Sequence, residues 1–245
     1  MESIMIKLYQ FPISHFCEKI RWTLDYKNID YEIKNLIPGL HSITTKKLAT
    51  ETSVPILTHD DRVIQGSSKI ISYLDNTFPT QNLTPEELKI KEEALKWEDY
   101  LEREIGNNVR LCCYHILLEY PNIVIPFFTQ NSPWYGKPFL AIMFPKLKIR
   151  MKLRMKLNDV SAKKAREDLR IAIDKLYTHY QKHEFLVGNQ FSRADLTAAS
   201  LLSPLFMPEK YGLNWPDKLP DKMEELIAEF SEKTKFSIDL YEKYR

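Results

Sequence analysis

Two side chains capable of sulfur chemistry lie close together near the start of the chain, in the segment FPISHFCEKIRW at 11–22. Ser14 follows a short apolar run, and Cys17 comes three residues later. A helix that starts here favours an anion at its N-terminus, because its dipole and its free N–H groups point there. The Ser14 hydroxyl could donate a charge-assisted hydrogen bond to a thiolate, or cap the helix, or do both. Cys17 could be a redox nucleophile or a small apolar side chain packed inside the helix.

The composition is that of an ordinary globular protein with one large or two small domains. The chain has 245 residues, a formal net charge of +2 and 44% hydrophobic residues, so no global field indicates a nucleic-acid partner. Its three cysteines, at 17, 112 and 113, lack the spacing of a disulfide framework or of metal ligands. We therefore expect a reducing, cytoplasmic environment and no metal. We find no signal-peptide pattern and no run of 18 apolar residues.

The first 78 residues alternate between strand and helix patterns. Residues 4–11 predict a buried strand, 16–27 a helix, and 31–37 a second strand, which the crossover rule makes parallel to the first. A polar connection, SITTKKLATETS, then leads to VPILTHD and RVIQG, which predict a hairpin turning at Asp60–Asp61. A further helix is expected to start near Ser67. The order βαβ followed by ββα predicts a small α/β layer.

Residues 79–84 predict a linker, and residues 85–245 predict helices only. Thr84, Pro85 and Glu87 have the spacing of a capping box with proline at the first helical position. Ser192 and Asp195 predict a second box, in which the acid is shorter by one methylene. Residues 162–182 and the tail from 224 predict one amphipathic helix each. Basic and apolar residues alternate at 146–156, where the setting predicts a helix packed on the domain.

Five short motifs, in order from residue 6 to about 205, resemble those of the glutathione S-transferase superfamily. The motifs are SHFC at 14–17, NLIPGLH at 35–41, SVPIL at 53–57, SSKIISYL at 67–74 and FSRADL at 191–196. The first is similar to the S-x-x-C of theta-type transferases and to the C-P-x-C of glutaredoxins and omega-type members. The fourth also resembles the soluble part of type-2 prostaglandin E synthases. The resemblance implies a thioredoxin-like βαβ-ββα domain at 1–78 and an all-helical substrate-binding domain at 85–245.

The resemblance also implies that glutathione is the co-substrate and that its thiol reacts beside Ser14. Ser14 would stabilise the thiolate, with Cys17 as the alternative catalytic residue. The family's V-P motif implies a cis bond before Pro55, which turns the Val54 N–H and C=O toward the cysteinyl unit of glutathione. His41 would bind the glycyl carboxylate, with Lys46 or Lys47 as substitutes.

The same resemblance places the γ-glutamyl end of glutathione at the start of the helix near residue 67. Ser67, together with Ser68, would bind its carboxylate, which the helix N-terminus also favours. Gly66 departs from the family pattern, which has an acidic or amide residue before this serine. Gln65 or a partner subunit would then have to recognise the γ-glutamyl amine.

Three functions agree with these sequence patterns. We expect a glutathione transferase that conjugates the thiolate to an apolar electrophile, as a homodimer that contacts no nucleic acid. A glutathione-dependent thiol reductase or isomerase using Cys17 is the second hypothesis. The third is a transferase-like binding or regulatory protein without catalysis, with membrane contact through 123–156 as a less favoured addition. The fold by itself does not choose among these hypotheses, because function depends on the site.

Overall fold

The computed structural model describes residues 6–245, and their first part is a four-stranded mixed sheet with three helices. Its strand order is β2-β1-β3-β4, in which β1 and β2 are parallel and the other pairs are antiparallel. The predicted βαβ unit and the hairpin at Asp60–Asp61 are therefore confirmed. Residues 4 and 5 of the predicted first strand lie outside the described residues. The elements are β1 (Ile6–Gln10), α1 (His15–Tyr26), β2 (Tyr31–Asn35), α2 (His41–Leu48), β3 (Ile56–His59), β4 (Arg62–Gln65) and α3 (Ser67–Thr77).

From Leu88 onward every regular element of the described chain is helical, as the predicted fold class requires. These elements are α4 (Leu88–Leu101), a π-helical turn (Glu102–Gly106), α5 (Asn107–Leu117), α6 (Pro121–Thr129), α7 (Gly136–Arg154), α8 (Asp159–Tyr180), α9 (Arg193–Leu202), α10 (Asp221–Phe230) and α11 (Lys235–Tyr244). Short 3₁₀ turns occur at Ser203–Leu205, Glu209–Tyr211 and Glu232–Thr234. Within residues 6–245, no helix is both long and apolar enough to cross a membrane.

Two large hydrophobic cores and a smaller cluster around Phe127 and Tyr211 hold the described part of the chain together. One large core lies among the helices and includes Leu101, Leu169 and Leu201. The other joins Leu8 of β1 and Leu57 of β3 to α1 and α3, and it continues into α9 and α11. Because this second core is shared, the sheet and the last helices bury one another. The predicted domain limits at 78 and 85 lie in the connection between α3 and α4 and stay a prediction.

The Ser192 capping box is confirmed. The Ser192 hydroxyl accepts from the Ala194 N–H, and the Asp195 carboxylate accepts from the Ser192 N–H at 3.0 Å. Asp195 also accepts from the Leu186 N–H and the Tyr180 hydroxyl, so this box ties α9 to α8 as well as starting α9.

The predicted capping box at Thr84 is wrong, because the helix begins at Leu88 and has no side-chain cap. The Thr84 hydroxyl instead donates to Asp75 Oδ2 of α3 at 2.6 Å. It also accepts from Arg193 Nη1 of α9 at 2.9 Å. A buried carboxylate and guanidinium compete for this hydroxyl more strongly than a backbone N–H does, since charge-assisted hydrogen bonds are the stronger ones.

Two further expectations need correction. The connection SITTKKLATETS contains α2, whose signal is weak because Thr45 is its one buried residue among those described. The tail is two helices, α10 and α11, where one was predicted. The Thr234 hydroxyl donates to the Phe230 carbonyl at 3.0 Å, and a hydroxyl that bonds back to the preceding turn favours a bend.

Candidate functional site

Ser14 is the N-cap residue of α1, directly after β1. Its backbone is extended, and its hydroxyl oxygen accepts from the Cys17 N–H at 3.3 Å. Capping uses a lone pair of this oxygen and not its hydrogen. That hydrogen can point either to the Cys17 thiol or to a bound ligand. The helix N-terminus adds a favourable potential for an anion at the same point. The cap predicted at Ser14 is therefore present, and it is compatible with a second role of the hydroxyl as a donor.

Cys17 is inside the protein, with 0% of its surface exposed. Burial raises the pKa of its thiol, although the hydrogen bond from Ser14 opposes this shift. The raised pKa leaves little of the thiolate, which is the reactive form of cysteine, and a side chain with no exposed surface cannot meet a substrate. Cys17 is therefore a poor nucleophile. The side chain belongs to the packing of α1.

A cavity of about 680 Å³ opens in front of Ser14, between the sheet part and the helices. Ser14, His41 and Val54 all lie on its wall, although they come from three different segments. Apolar and aromatic side chains from α5, α6 and α7 form most of the opposite wall, among them Tyr114 and Phe128. Cavities of this size and character hold small ligands.

The backbone of Val54 forms one edge of the cavity. The Val54–Pro55 peptide bond is cis, as predicted. In the part of the chain that the structure describes, neither the N–H nor the C=O of Val54 has a hydrogen-bond partner. Gln65 does not reach the cavity, because its side-chain amide donates to the carbonyls of Glu51 and Ser53 and so fixes the loop before Val54. We therefore find Gln65 supporting the loop that carries Val54.

His41 begins α2 and faces the cavity from the side of β1. Its Nδ1 accepts from the Gly39 N–H at 3.1 Å, so its other ring nitrogen carries the proton when the ring is neutral. Its pKa is lowered, first by burial and then by the positive charge of Arg154. Its ring meets the Phe11 ring edge to face, which sets its orientation. His41 is therefore a fixed, neutral hydrogen-bond donor.

Ser67 and Ser68 start α3, and their hydroxyls are already engaged by a carboxylate. Both donate to Glu102 Oε1, at 2.6 Å and 2.9 Å. The buried Lys19 Nζ lies 2.8 Å from the same oxygen, and this pairing lowers the pKa of Glu102 against the opposing effect of burial. Glu102 Oε2 has no partner among residues 6–245, and 27% of the side chain is exposed. The family pattern has an acidic or amide residue at the position of Gly66. In this chain the Glu102 carboxylate lies next to that position, beside Ser67 and Ser68.

The π-helical turn that carries Glu102 also contacts the residues next to Ser14. Its last residue, Gly106, accepts a hydrogen bond from the His15 ring at 2.9 Å. A Cβ atom on Gly106 would lie 2.7 Å from the Phe16 ring, so only glycine allows this approach. Burial lowers the pKa of His15 to about 3, which keeps the ring neutral at pH 7. Isolated π turns often occur at functional sites, and this one positions the start of α1.

Two arginines on the cavity wall were missed as site residues by reasoning from the sequence. Arg110 lies on α5, where its Nη2 donates to Asn107 Oδ1 at 2.8 Å. Arg154, at the end of α7, donates to Thr52 Oγ1 at 3.4 Å. The sequence could have indicated Arg110 as a site residue through its helical spacing, because Asn107, Arg110 and Tyr114 lie on one face of α5. Arg154 belongs to the alternating basic stretch, in which Lys148 and Lys152 bind Glu119 and do not reach the cavity.

Comparison with known proteins agrees with this geometry. A model of the glutathione S-transferase N-terminal domain matches residues 8–83, and one of the C-terminal domain matches residues 139–226. The two segments together cover more than half of the chain. The chain therefore belongs to the glutathione S-transferase superfamily.

Individual relatives are distant. A glutathione S-transferase 1 from Dianthus caryophyllus is 30% identical over 132 residues, covering 45% of this chain and 58% of the relative. Glutathione S-transferase Z2 from Arabidopsis thaliana is 37% identical over 83 residues, which are 33% of this chain and 37% of the relative. The chain thus spans about half the length, or less, of these curated relatives.

Two solved structures share the fold over nearly the whole chain. The beta-etherase LigF from Sphingobium superposes with a TM-score of 0.64 and 19% identity, over 97% of this chain and 99% of that one. Glutathione transferase F7 from Populus trichocarpa gives a TM-score of 0.65 and 15% identity, over 96% and 92% of the two chains. At these identities the likeness establishes the fold alone.

Proposed function

We propose that the protein is a glutathione transferase that uses Ser14 to hold the thiolate of reduced glutathione for attack on an apolar electrophile. The observation that carries this proposal is the meeting of Ser14, Val54 and His41 on one largely apolar cavity. The Ser14 hydroxyl and the α1 N-terminus would stabilise the thiolate by hydrogen bonding and by the helix dipole. In the reaction the sulfur forms a new bond to carbon, and the leaving group departs with its bonding electron pair. Proximity to the bound electrophile supplies the rest of the acceleration.

The ends of glutathione would be held by groups that are unpaired in the described chain. Val54 would exchange backbone hydrogen bonds with the cysteinyl unit. His41 would donate to the glycyl carboxylate, and the positive charge of Arg154 at the same rim favours that carboxylate. Pro55 would act through the backbone of Val54, and Gln65 through the loop that it supports.

The γ-glutamyl end is a zwitterion, and the start of α3 offers one group for each charge. The N–H groups of Ser67 and Ser68 would bind its carboxylate, since the first N–H groups of a helix have no partner within it. Glu102 Oε2, at the edge of the same site, would bind its ammonium group. We propose that Glu102 thereby replaces the acid that is absent at Gly66.

The burial of Cys17 supports the transferase over a reductase that uses Cys17. A homodimer in the cytoplasm, implied by the resemblance, belongs to the same proposal, and the mass in solution tests the dimer.

The deciding experiment measures binding and turnover in the same variants. Reduced glutathione would be titrated calorimetrically into wild-type protein, Ser14→Ala and Cys17→Ser, and conjugation of 1-chloro-2,4-dinitrobenzene would be followed. We expect micromolar to low-millimolar binding, about −4 to −8 kcal/mol, in all three proteins. Turnover should fall at least about 100-fold in Ser14→Ala and survive in Cys17→Ser.

Two results would contradict the proposal. Absence of glutathione binding by the wild type would favour the binding-protein hypothesis. Loss of turnover in Cys17→Ser, with Ser14→Ala unaffected, would favour the reductase.

A further inference from the structure

The cavity in front of Ser14 has a positive charge that its own wall does not neutralise. Arg110 and Arg154 both line it, whereas no Asp or Glu from residues 6–245 does. Neither arginine forms an ion pair with any carboxylate in the described part of the chain. An arginine is always charged in proteins. Arg154 is exposed, whereas Arg110 is mostly buried, and a buried charge without a partner is costly. A ligand of opposite charge would remove that cost.

Arg110 is the arginine placed deeper in the cavity wall. Its side chain is mostly buried, and its Nε has neither solvent nor a hydrogen-bond partner among the described residues. One bond, from Nη2 to Asn107, uses part of its fork of five donors. Burial, and to a smaller extent the positive charge of Arg154, lower the pKa of Arg110, so the surroundings disfavour its charge. Tyr114 lies nearby on the same face of α5, and burial raises its pKa, so the hydroxyl stays protonated and supplies no negative charge.

The remaining wall specifies the rest of the ligand. Phe128 of α6 stacks on Tyr114, with ring centroids 6.0 Å apart. Leu147 and Met151 of α7 also face this space. Such a surface accepts an aliphatic or aromatic body and excludes a strongly hydrated one.

We propose that the cavity is a binding site for apolar molecules that carry one anionic group, and that Arg110 binds this group. A carboxylate or a sulfonate matches the planar fork of the guanidinium, which donates two parallel hydrogen bonds. The assignment of this molecule as the electrophilic co-substrate rests on the proposed transferase function, whereas the anion site does not. An electrophile bearing a carboxylate would then be preferred over its neutral analogue.

The test compares two ligands that differ in charge alone, without glutathione. Octanoate and octan-1-ol would be titrated calorimetrically into wild-type protein, Arg110→Met and Arg150→Met. Arg150 is an exposed arginine of α7 that does not line the cavity, so it is the matched control. We expect the wild type to bind octanoate at least about tenfold more tightly than octan-1-ol, because a hydrogen bond between charged groups contributes more to the binding free energy than one to a neutral hydroxyl. Arg110→Met should lose this preference and keep its affinity for octan-1-ol, and Arg150→Met should match the wild type.

Two results would overturn the proposal. One is equal affinity of the wild type for both ligands, a comparison that needs no variant to fold. The other is a preference for octanoate that survives in Arg110→Met. Arg110→Lys is a second variant, which keeps the charge but not the planar fork and should therefore keep only part of the preference.

A last arm separates this site from the glutathione site. Octanoate would be titrated into protein saturated with S-methylglutathione, and we expect its affinity to remain within about threefold of that without the analogue. Competition between the two would show that Arg110 serves glutathione, and would overturn the co-substrate assignment. Absence of glutathione binding, together with Arg110-dependent octanoate binding, would refute the transferase proposal and support the anion site.

Discussion

His15 provides a quantitative test of how the start of α1 is built, because it is a buried neutral histidine bonded to Gly106. Its pKa is about 3 in the folded protein against an ordinary value of 6.5, mainly because burial penalises the charged ring. Folding lowers the pKa of His15, so the neutral His15 ring makes its full contribution to the stability of the folded protein above pH 6.5. That contribution is lost as the pH falls toward 3, because the unfolded chain takes up a proton that the folded chain refuses.

The magnitude follows from the two pKa values. Each unit of pH between them costs about 1.4 kcal/mol in the free energy of unfolding. From pH 7 to pH 4 the protein should therefore lose about 3 kcal/mol through His15 alone. In His15→Gln this titration is absent, while the amide can still donate to the Gly106 carbonyl.

The assay is urea unfolding of the wild type and His15→Gln at pH 7, 6, 5 and 4. We expect the free energy of unfolding of the wild type, relative to that of His15→Gln, to fall by about 3 kcal/mol over this range. His183→Gln, which replaces an exposed histidine, is the control and should change in parallel with the wild type. Parallel curves for the wild type and His15→Gln would refute the reasoning, because they would mean that folding does not exclude the proton from His15.

Three further predictions concern the surroundings of the site. Gly106→Ala should destabilise the protein by about 1–3 kcal/mol, because the new methyl group would lie 2.7 Å from the Phe16 ring; thermal unfolding measures this, and an unchanged melting temperature would contradict it. Asp195→Ala should lower the free energy of unfolding by about 3–5 kcal/mol, because each buried donor left unpaired costs about 1–3 kcal/mol and this change leaves several. Chemical unfolding measures the loss, and a shift below about 1 kcal/mol would disprove the prediction. Glu102→Gln should weaken reduced glutathione about tenfold without weakening its desamino analogue, which lacks the ammonium group. Calorimetry with both ligands tests this, and equal losses would remove Glu102 as the ammonium partner.

Local sequence patterns determined much of this protein. The parallel βαβ unit, the hairpin at Asp60–Asp61 and the helix at Ser67 follow from alternation, helical spacing and turn residues within short segments. The caps at Ser14 and Ser192 were predictable for the same reason, because a cap joins residues three positions apart. The motif at Val54–Pro55 indicated the cis bond.

Tertiary structure alone decided what depends on contacts between distant segments. Thr84 does not cap a helix, because its hydroxyl bonds Asp75 and Arg193 instead. Local spacing in the sequence does not reveal these two partners. Glu102 reaches the hydroxyls of Ser67 and Ser68 only because the fold brings the π turn beside the start of α3. Arg110 and Arg154 are 44 positions apart in the chain, and they line one cavity because α5 and α7 both form its wall. The spacing of charged side chains along the sequence does not indicate which groups they will contact. The electrostatics of a site are therefore determined by the fold, which brings distant charged groups together.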